Sequence, residues 1–282
     1  MKPTARSRLR GWLPLLLLPP AVLAHGVYWE WPAWVTMWAV AAAIFAGCKW
    51  LTWRRSPIAA PAWLHLAYLF GWPGLDASAF LSSTPLPAKK RPKPTEWLFA
   101  AAKTAVGVAL LVLSMVFREL PLLRGWAGMV GLIFVLHFGT FHLLSCFWRT
   151  VGRDARPLMH WPILSRSLSE FWGRRWNTAF RDLTHRFLFA PLASRIGAKW
   201  AVAVGFVLSG VVHDVVISIP AGGGYGWPTL YFLIQGGGLL LERKIGTSRL
   251  LTAVVLLAPA FGLFHPPFVL TVVVPMLDSI TL

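Results

Sequence analysis

The chain has 282 residues, of which 13% are charged, and its mean hydropathy is +0.61. Soluble domains carry about 25% charged residues, so this composition excludes an ordinary soluble protein. The net charge of +17 does not indicate nucleic-acid binding, because Lys and Arg lie in the gaps between apolar blocks and not on a separate basic face or tail. We therefore predict an all-α polytopic membrane protein, with residues 1–282 forming one integral-membrane domain.

Apolar blocks near the length of a bilayer core follow one another along the chain. The first block follows four basic residues and is interpreted as an uncleaved span, with a signal peptide that ends at Ala24 as the alternative. Trp63–Trp72 is too short to cross, and we expect it to be re-entrant or interfacial. Without it, seven or eight transmembrane helices are predicted, from the blocks Trp12–Ala24, Trp34–Trp50, Trp97–Phe117, Trp126–Trp148, Trp200–Ile219, Pro228–Leu241, Leu250–Phe264 and Phe268–Leu277.

The basic residues alternate between the loops that join these blocks. Loop 148–199 holds 10 Lys and Arg residues, loop 220–227 holds none, and the tail before the first block holds 4. Loops rich in Lys and Arg face the cytoplasm, so loop 148–199 and the N-terminus are predicted to be cytoplasmic. The membrane would be the cytoplasmic membrane of a bacterium or the endoplasmic reticulum of a eukaryote.

Loop 148–199 has the pattern of an amphipathic helix at the membrane surface. Ser167 and Glu170 have the spacing of a capping box, so a helix is predicted to begin at this point. Asn177 falls at the edge between the two faces, where its amide can point toward a pocket. The apolar face comprises Leu168, Trp172, Trp176, Ala179, Leu183 and Phe187, and the polar face comprises Glu170, Arg174, Arg181 and His185.

One histidine lies deep in an apolar block. His213 is fourteen residues beyond Lys199, which places it about 21 Å into a core of about 30 Å. A neutral imidazole at this depth suits a general base, and a hydrogen bond to a neighbouring helix is the alternative. Gly210 on the same face leaves room for a ligand or for a neighbouring helix. Asp214 is about 100° around the helix, so it is poorly placed to orient the imidazole.

The other intramembrane polar residues favour structural roles. His137 and His142 are about 140° apart on a helix, and Cys146 aligns only with His142, so no metal site is predicted. Lys103 and Glu242 lie near span ends and are expected to extend toward the interface. Gln235 precedes three glycines that favour close helix packing. Neither a disulfide framework nor a zinc site can be built from Cys48 and Cys146, the two cysteines of the sequence.

Four segments between residues 63 and 268 resemble the wax-synthase type of the membrane-bound O-acyltransferase superfamily. SLSEFWGRRWN (Ser167–Asn177) resembles its signature, and SGVVHD (Ser209–Asp214) is similar to the segment that ends in the catalytic histidine. Asn177 and His213 are 36 positions apart, similar to the interval in the superfamily. Asp214 departs from the glutamate usual in plant wax synthases. The other two segments are GWPGLDASAF (Gly71–Phe80) and LFHPPF (Leu263–Phe268).

The resemblance implies a helical bundle around a tunnel, with acyl-CoA as the donor and His213 and Asn177 as catalytic residues. His213 would accept the proton of an alcohol, and Asn177 would bond the acceptor hydroxyl or the oxyanion. A long-chain alcohol is the expected acceptor, with diacylglycerol or a sterol as alternatives. A non-catalytic permease or scaffold is a further alternative. Residues expected to bind acyl-CoA are Arg174, Arg175, Trp176 and Arg181, although the arginines could instead contact anionic lipid.

Overall fold

The structure is a computed structural model that describes residues 5–280, with side chains from residue 11 onward. The described residues form helices and no β-strand, which confirms the all-α class. Apart from the short 3-10 helices Ala88–Lys90, Met115–Phe117 and Pro162–Leu164, this part of the chain forms twelve helices, which are α1 (Ala5–Tyr28), α2 (Ala33–Arg54), α3 (Ala62–Gly71), α4 (Ala77–Leu81), α5 (Pro94–Ser114), α6 (Pro121–Thr150), α7 (168–175), α8 (178–196), α9 (Ala198–Ala221), α10 (Trp227–Ile245), α11 (Arg249–Leu263) and α12 (Pro266–Ile280).

Several helices are long and apolar enough to cross a membrane, so the chain is an integral membrane protein. Within residues 5–280, five helices qualify by length and composition, or six if α11 and α12, which meet at 59°, form one bent span. The sequence-based count of seven or eight was higher for two reasons. It treated the arms of this bent pair as separate spans. It also included α10, whose last turn carries Glu242, Arg243 and Lys244.

One compact unit comprises the described residues up to 109 together with residues 131–158. A Cβ atom on Gly47 would lie 2.6 Å from the Leu15 Cα, so α1 and α2 cross closely. Lys49 in α2 is only 2% exposed, and its Nζ donates to the carbonyls of Tyr68 and Gly74, each at 2.7 Å. A buried amine needs such hydrogen-bond partners, so Lys49 fixes the short helix α3 and the turn after it against α2.

The other unit comprises residues 110–130 and the described residues from 159 onward. Its centre is the pair α9 and α10, which pack through glycines. A Cβ atom on Gly210 would lie 2.6 Å from the Thr229 Cα, and one on Gly236 would lie 3.2 Å from the Phe206 ring. Of the two roles expected for Gly210, close approach of a neighbouring helix is therefore the one observed.

Candidate active site

His213 in α9 has a geometry that suits a base. Its Nδ1 lies 2.7 Å from the carbonyl oxygen of Ser209, one turn earlier on the same helix. A carbonyl can only accept, so Nδ1 carries the proton and donates it, and the lone pair of a neutral imidazole is left on Nε2. The half-buried ring lies against Phe232 of α10, with ring centroids 4.4 Å apart. Nδ1 of His213 thus bonds its own helix, and not a neighbouring helix as the alternative interpretation expected.

Asp214 faces the start of α10 and accepts four hydrogen bonds. Its Oδ1 accepts from the Ser218 hydroxyl and the Gly226 amide, each at 2.8 Å. Its Oδ2 accepts from the Thr229 amide at 3.0 Å and from the Thr229 hydroxyl. Gly226 is the N-cap of α10 and has no side chain, so Asp214 supplies the missing cap from another helix. Its partners agree with the expectation that Asp214 does not orient the imidazole.

The double-proline segment lies next to this carboxylate. His265 is 2% exposed, and its Nδ1 accepts from the Phe268 amide at 3.1 Å. Its Nε2 therefore carries the proton and donates to the Ser218 hydroxyl, 3.1 Å away, which in turn donates to Asp214. The segment thus belongs to a buried hydrogen-bond chain that holds the start of α10.

The signature segment begins as the sequence predicts. The Ser167 hydroxyl accepts from the Glu170 amide at 2.9 Å, which confirms Ser167 as the N-cap. The Glu170 carboxylate bonds back to the amide of Arg166 at 2.8 Å, one residue before the position expected in a capping box. This hydrogen bond, and then the contact with Arg175, hold the pKa of Glu170 below its ordinary value.

The amphipathic helix is not continuous, which corrects the prediction. Its first part, α7, ends in a π-helical turn, Phe171–Arg175, and the chain then becomes extended at Trp176. Asn177 follows with a φ of +38°, in the left-handed region, and its Oδ1 caps α8 by accepting from the Phe180 amide at 3.5 Å. Exposure follows the predicted division into faces except at Glu170, which is half-buried: Arg174, Arg181 and His185 are exposed, whereas the apolar set is buried or half-buried.

Asn177 is therefore a residue of a tight turn between two helices. The backbone N–H of Asn177 also points at the Met159 sulfur, 3.1 Å away. Asn is one of the few residues that adopt positive φ readily, which gives this position a structural requirement in addition to any chemical one.

The four residues expected to bind acyl-CoA have different environments. Arg174 is exposed, and Arg181 forms an ion pair with Asp182 at 3.1 Å. Arg175 contacts Glu170 at 2.6 Å and also donates to the carbonyls of His160 and Trp161, at 3.1 and 3.2 Å. The Trp176 ring stacks on Phe171 with centroids 5.5 Å apart. Arg174 and Arg181 are thus more available to a phosphate than Arg175.

Helix α10 brings the signature segment and the histidine together. Phe232 lies against His213, and its ring centroid is also 5.7 Å from that of Trp172 in α7. The Trp172 indole N–H donates to the Gln235 side-chain oxygen at 3.4 Å. Gln235 is fully buried and its amide donates to the Val255 carbonyl at 2.6 Å, so it bonds side chains and backbone in addition to lying beside the glycines.

Glu242 does not extend to the interface, which corrects the sequence-based expectation. It is 5% exposed, and its oxygens accept from the amides of Leu168 and Ser169. Glu242 and Gln235 are seven residues apart, so both lie on one face of α10. Two polar side chains at that spacing in an apolar helix are the signal that could have predicted their shared role.

The first unit contains a separate polar cluster that the sequence did not predict. The donor atoms of Glu96, His142 and Cys146 all lie within 4.8 Å of one another, whereas His137 is not part of this group. Lys103 contacts the His142 Nδ1 at 2.7 Å instead of extending to the interface. Glu96 contacts the His142 Nε2 at 2.9 Å and is paired with Arg149. The Arg149 guanidinium thus already balances the carboxylate, which makes the donor set a poor fit for a metal ion.

Comparison with known proteins relates a segment that lies mostly in the second unit to a family of acyltransferases. Residues 155–234 match the model of the membrane bound O-acyl transferase family. This segment contains the signature, Asn177 and His213, so the resemblance drawn from the sequence is confirmed where its most specific motifs lie.

The similar proteins carry matching names. The chain is 27% identical over 203 residues to a long-chain-alcohol O-fatty-acyltransferase of Simmondsia chinensis, covering 61% of this chain and 56% of the relative. It is 26% identical over 210 residues to a probable long-chain-alcohol O-fatty-acyltransferase 8 of Arabidopsis thaliana, covering 66% and 62%. An acyl-CoA–sterol O-acyltransferase 1 of the same plant is 28% identical over 135 residues, covering 41% and 39%. The chain is thus similar to proteins named as long-chain-alcohol acyltransferases, and it spans less than two thirds of the length of the first two and of the sterol acyltransferase.

Proposed function

We propose that this protein is an acyl-CoA-dependent O-acyltransferase that esterifies a long-chain fatty alcohol, with His213 as the general base. The observation that carries the proposal is the Nδ1–H bond of His213 to Ser209, which leaves Nε2 unprotonated, within the segment that matches the family model. A base whose ordinary pKa is near 6.5 suits proton transfer from an alcohol at neutral pH.

In the proposed reaction, Nε2 of His213 accepts the hydroxyl proton while the alcohol oxygen attacks the thioester carbonyl. The C–O bond forms, the C–S bond breaks, and the proton passes from the imidazole to the sulfur of coenzyme A. Asn177 bonds the acceptor hydroxyl or the developing oxyanion, a role commonly worth about 3 kcal/mol. The thioester is already activated, so a covalent enzyme intermediate is unnecessary.

Acyl-CoA would bind from the cytoplasmic side, with its phosphates near α7 and α8. The exposed Arg174 and Arg181 are the best placed phosphate ligands. Arg175 would act mainly by holding the segment, because it already bonds Glu170 and two carbonyls. Trp176 supplies an aromatic face beside them, although it is already stacked on Phe171.

A linear apolar alcohol is the acceptor that this environment favours. Phe206, Val212, Val216 and Phe232 lie on the two helices around His213. Burying each CH₂ group among such side chains contributes about 0.8 kcal/mol, whereas each unpaired hydroxyl of a sugar would be costly. Diacylglycerol and a sterol remain alternatives, and the printed name of one relative refers to a sterol.

The test is turnover by the purified protein in detergent or nanodiscs. Acyl-CoA and hexadecanol are supplied, free coenzyme A is measured, and the labelled ester is identified. His213→Ala should abolish release, whereas His185→Ala, a matched histidine change at an exposed position, should retain it. Release that does not depend on the alcohol or on His213 would contradict the proposal. A complete lack of turnover in a folded sample would favour the permease or scaffold alternative.

Competition decides the acceptor. Hexadecanol, diacylglycerol and a sterol are mixed with one labelled acyl-CoA, and label is expected chiefly in the wax ester. Label mainly in triacylglycerol or sterol ester would overturn the choice of acceptor and leave the acyltransferase proposal intact.

The proposed location is a multi-pass position in the cytoplasmic membrane of a bacterium or the endoplasmic reticulum of a eukaryote, with the N-terminus in the cytoplasm. The support is the Lys and Arg count of 10 in loop 148–199 against none in loop 220–227. Entry of acyl-CoA from the cytoplasm follows from the same orientation, because α7 and α8 belong to the basic loop.

A further inference from the structure

Glu242 is a buried carboxylate that binds the start of the signature segment. Its Oε2 accepts from the Leu168 amide at 2.5 Å, and its Oε1 accepts from the Ser169 amide at 3.2 Å. The next amide, that of Glu170, is accepted by Ser167. Two side chains therefore satisfy all three of the first amides of α7.

The charge of Glu242 is matched to this position. A buried carboxylate is costly unless hydrogen bonds or opposite charge compensate it. The first turn of a helix offers unpaired N–H groups and a partial positive charge, so its amides can serve as the counter-charge. The Glu242 carboxylate thus fixes the first turn of α7, and the amides of that turn compensate the buried charge.

This anchor matters because α7 has little stability of its own. The segment is one short α-helical turn followed by a π-helical turn, and such short helices do not form in isolation. It docks along one face of α10, where the Trp172 indole bonds Gln235 and Leu168 packs against Gly238 so closely that an added Cβ would lie 2.8 Å from its side chain. Glu242 lies at the C-terminal end of this face, and its two hydrogen bonds fix the position at which α7 begins.

The same helix determines the surroundings of His213. Phe232, one turn before Gln235, lies against the imidazole and against Trp172. A shift of α7 along α10 would therefore move Trp172 relative to the His213 ring, and it would also move the turn at Asn177 that α7 leads into.

We infer that Glu242 is a positioning residue for the proposed acyl transfer, acting through the backbone of Leu168 and Ser169 to hold the signature segment against α10. It touches neither substrate nor His213 in this role. The inference rests on the proposed function. Its distinguishing consequence is that loss of the carboxylate disturbs α7 locally and lowers turnover more than acyl-CoA binding, while the fold remains.

The test compares Glu242→Gln with Arg243→Gln, which removes an exposed charge from the same turn. The amide in Glu242→Gln retains one acceptor, so one of the two bonds is lost with almost no change of volume. We expect kcat to fall at least tenfold and KM for acyl-CoA to rise by clearly less than that factor, because Arg174 lies in the loosened α7 whereas Arg181 lies in α8. Hydrogen exchange in peptide 165–176 should become at least tenfold faster, and exchange in 227–240 should be unchanged. Arg243→Gln should match wild type in all three measurements.

Two results would overturn the inference. One is a kcat within twofold of wild type in Glu242→Gln. The other is a lower kcat without a local disturbance of α7. This would be seen as unchanged exchange in peptide 165–176, or as a loss of kcat that merely follows the fraction of aggregated protein on size exclusion. If Glu242→Gln does not fold, Ser167→Ala removes the neighbouring cap, and it must show the same faster exchange and lower kcat for the inference to stand. A wild-type protein without turnover would instead contradict the proposed function, while the exchange measurement still tests the anchor.

Discussion

Replacement of Asp214 tests whether its carboxylate caps a helix or takes part in catalysis. In Asp214→Asn one oxygen becomes an NH₂ group, which cannot accept, so about two of the four hydrogen bonds from Ser218, Gly226 and Thr229 are lost. Hydrogen bonds to a charged group are worth about 1.5–3 kcal/mol each, which gives a loss of about 3–6 kcal/mol at the start of α10. We therefore expect a clearly lower midpoint of thermal unfolding.

Turnover should fall in Asp214→Asn only in proportion to the disturbance of α10. Thr229→Val removes the hydroxyl bond alone and should produce a smaller effect of the same kind on both measurements. The assays are thermal unfolding in detergent and coenzyme A release by the monodisperse fraction. A carboxylate that oriented His213 would behave differently, because its loss lowers kcat by about 10⁴ with the geometry intact. A normal unfolding midpoint combined with a thousandfold loss of turnover would refute the capping role.

Three further outcomes are expected. His213→Ala should lower kcat at least about 100-fold, since general-base catalysis contributes about 10²–10⁴, and coenzyme A release should show it while size exclusion is unchanged. Asn177→Gly and Asn177→Ala should lose turnover alike, but the alanine variant should also unfold at a lower temperature, because a left-handed residue with a Cβ costs about 1–2 kcal/mol; equal unfolding midpoints would contradict this. Single cysteines at the exposed positions Arg174 and Tyr225 should react with an impermeant reagent from opposite sides of the membrane; labelling from one side would contradict the topology.

Local patterns in the sequence were sufficient for much of the fold. Apolar runs predicted the membrane helices, because a bilayer requires about 20 apolar residues per span. Ser167 predicted a helix start, since a cap depends on amides within three residues. Such local patterns did not show that α11 and α12, on either side of His265, could form one bent span, because a bend depends on how the two helices pack.

The break in the amphipathic helix at Trp176 and Asn177 was harder to predict from local sequence than the helix start at Ser167. Helical periodicity continued through Asn177, and the faces it predicted are those observed, even though the backbone becomes extended at Trp176. The competing feature was the tolerance of Asn for positive φ, combined with the contact of its amide with Met159, 18 residues earlier. Periodicity describes which residues are buried and does not by itself show that the helix is unbroken.

The candidate base could be selected from the sequence, but its protonation state could not. Depth within an apolar block identified His213, because intramembrane polar groups are costly and rare. The tautomer depends on the contact with the Ser209 carbonyl, which is a matter of side-chain rotamer. The aromatic partner Phe232 belongs to another helix, so no spacing in the chain predicted it.

The sequence alone determined the membrane class, the positions of the apolar helices, the helix start at Ser167 and the motifs that resemble acyltransferases. Each of these depends on residues within a few turns of one another. The tertiary structure decided the partners of the buried polar side chains: Glu242 bonds Leu168, 74 positions away, and Lys49 bonds Gly74, 25 positions away. A buried polar group must find hydrogen bonds wherever the folded chain offers them, and only packing determines which backbone groups lie within reach.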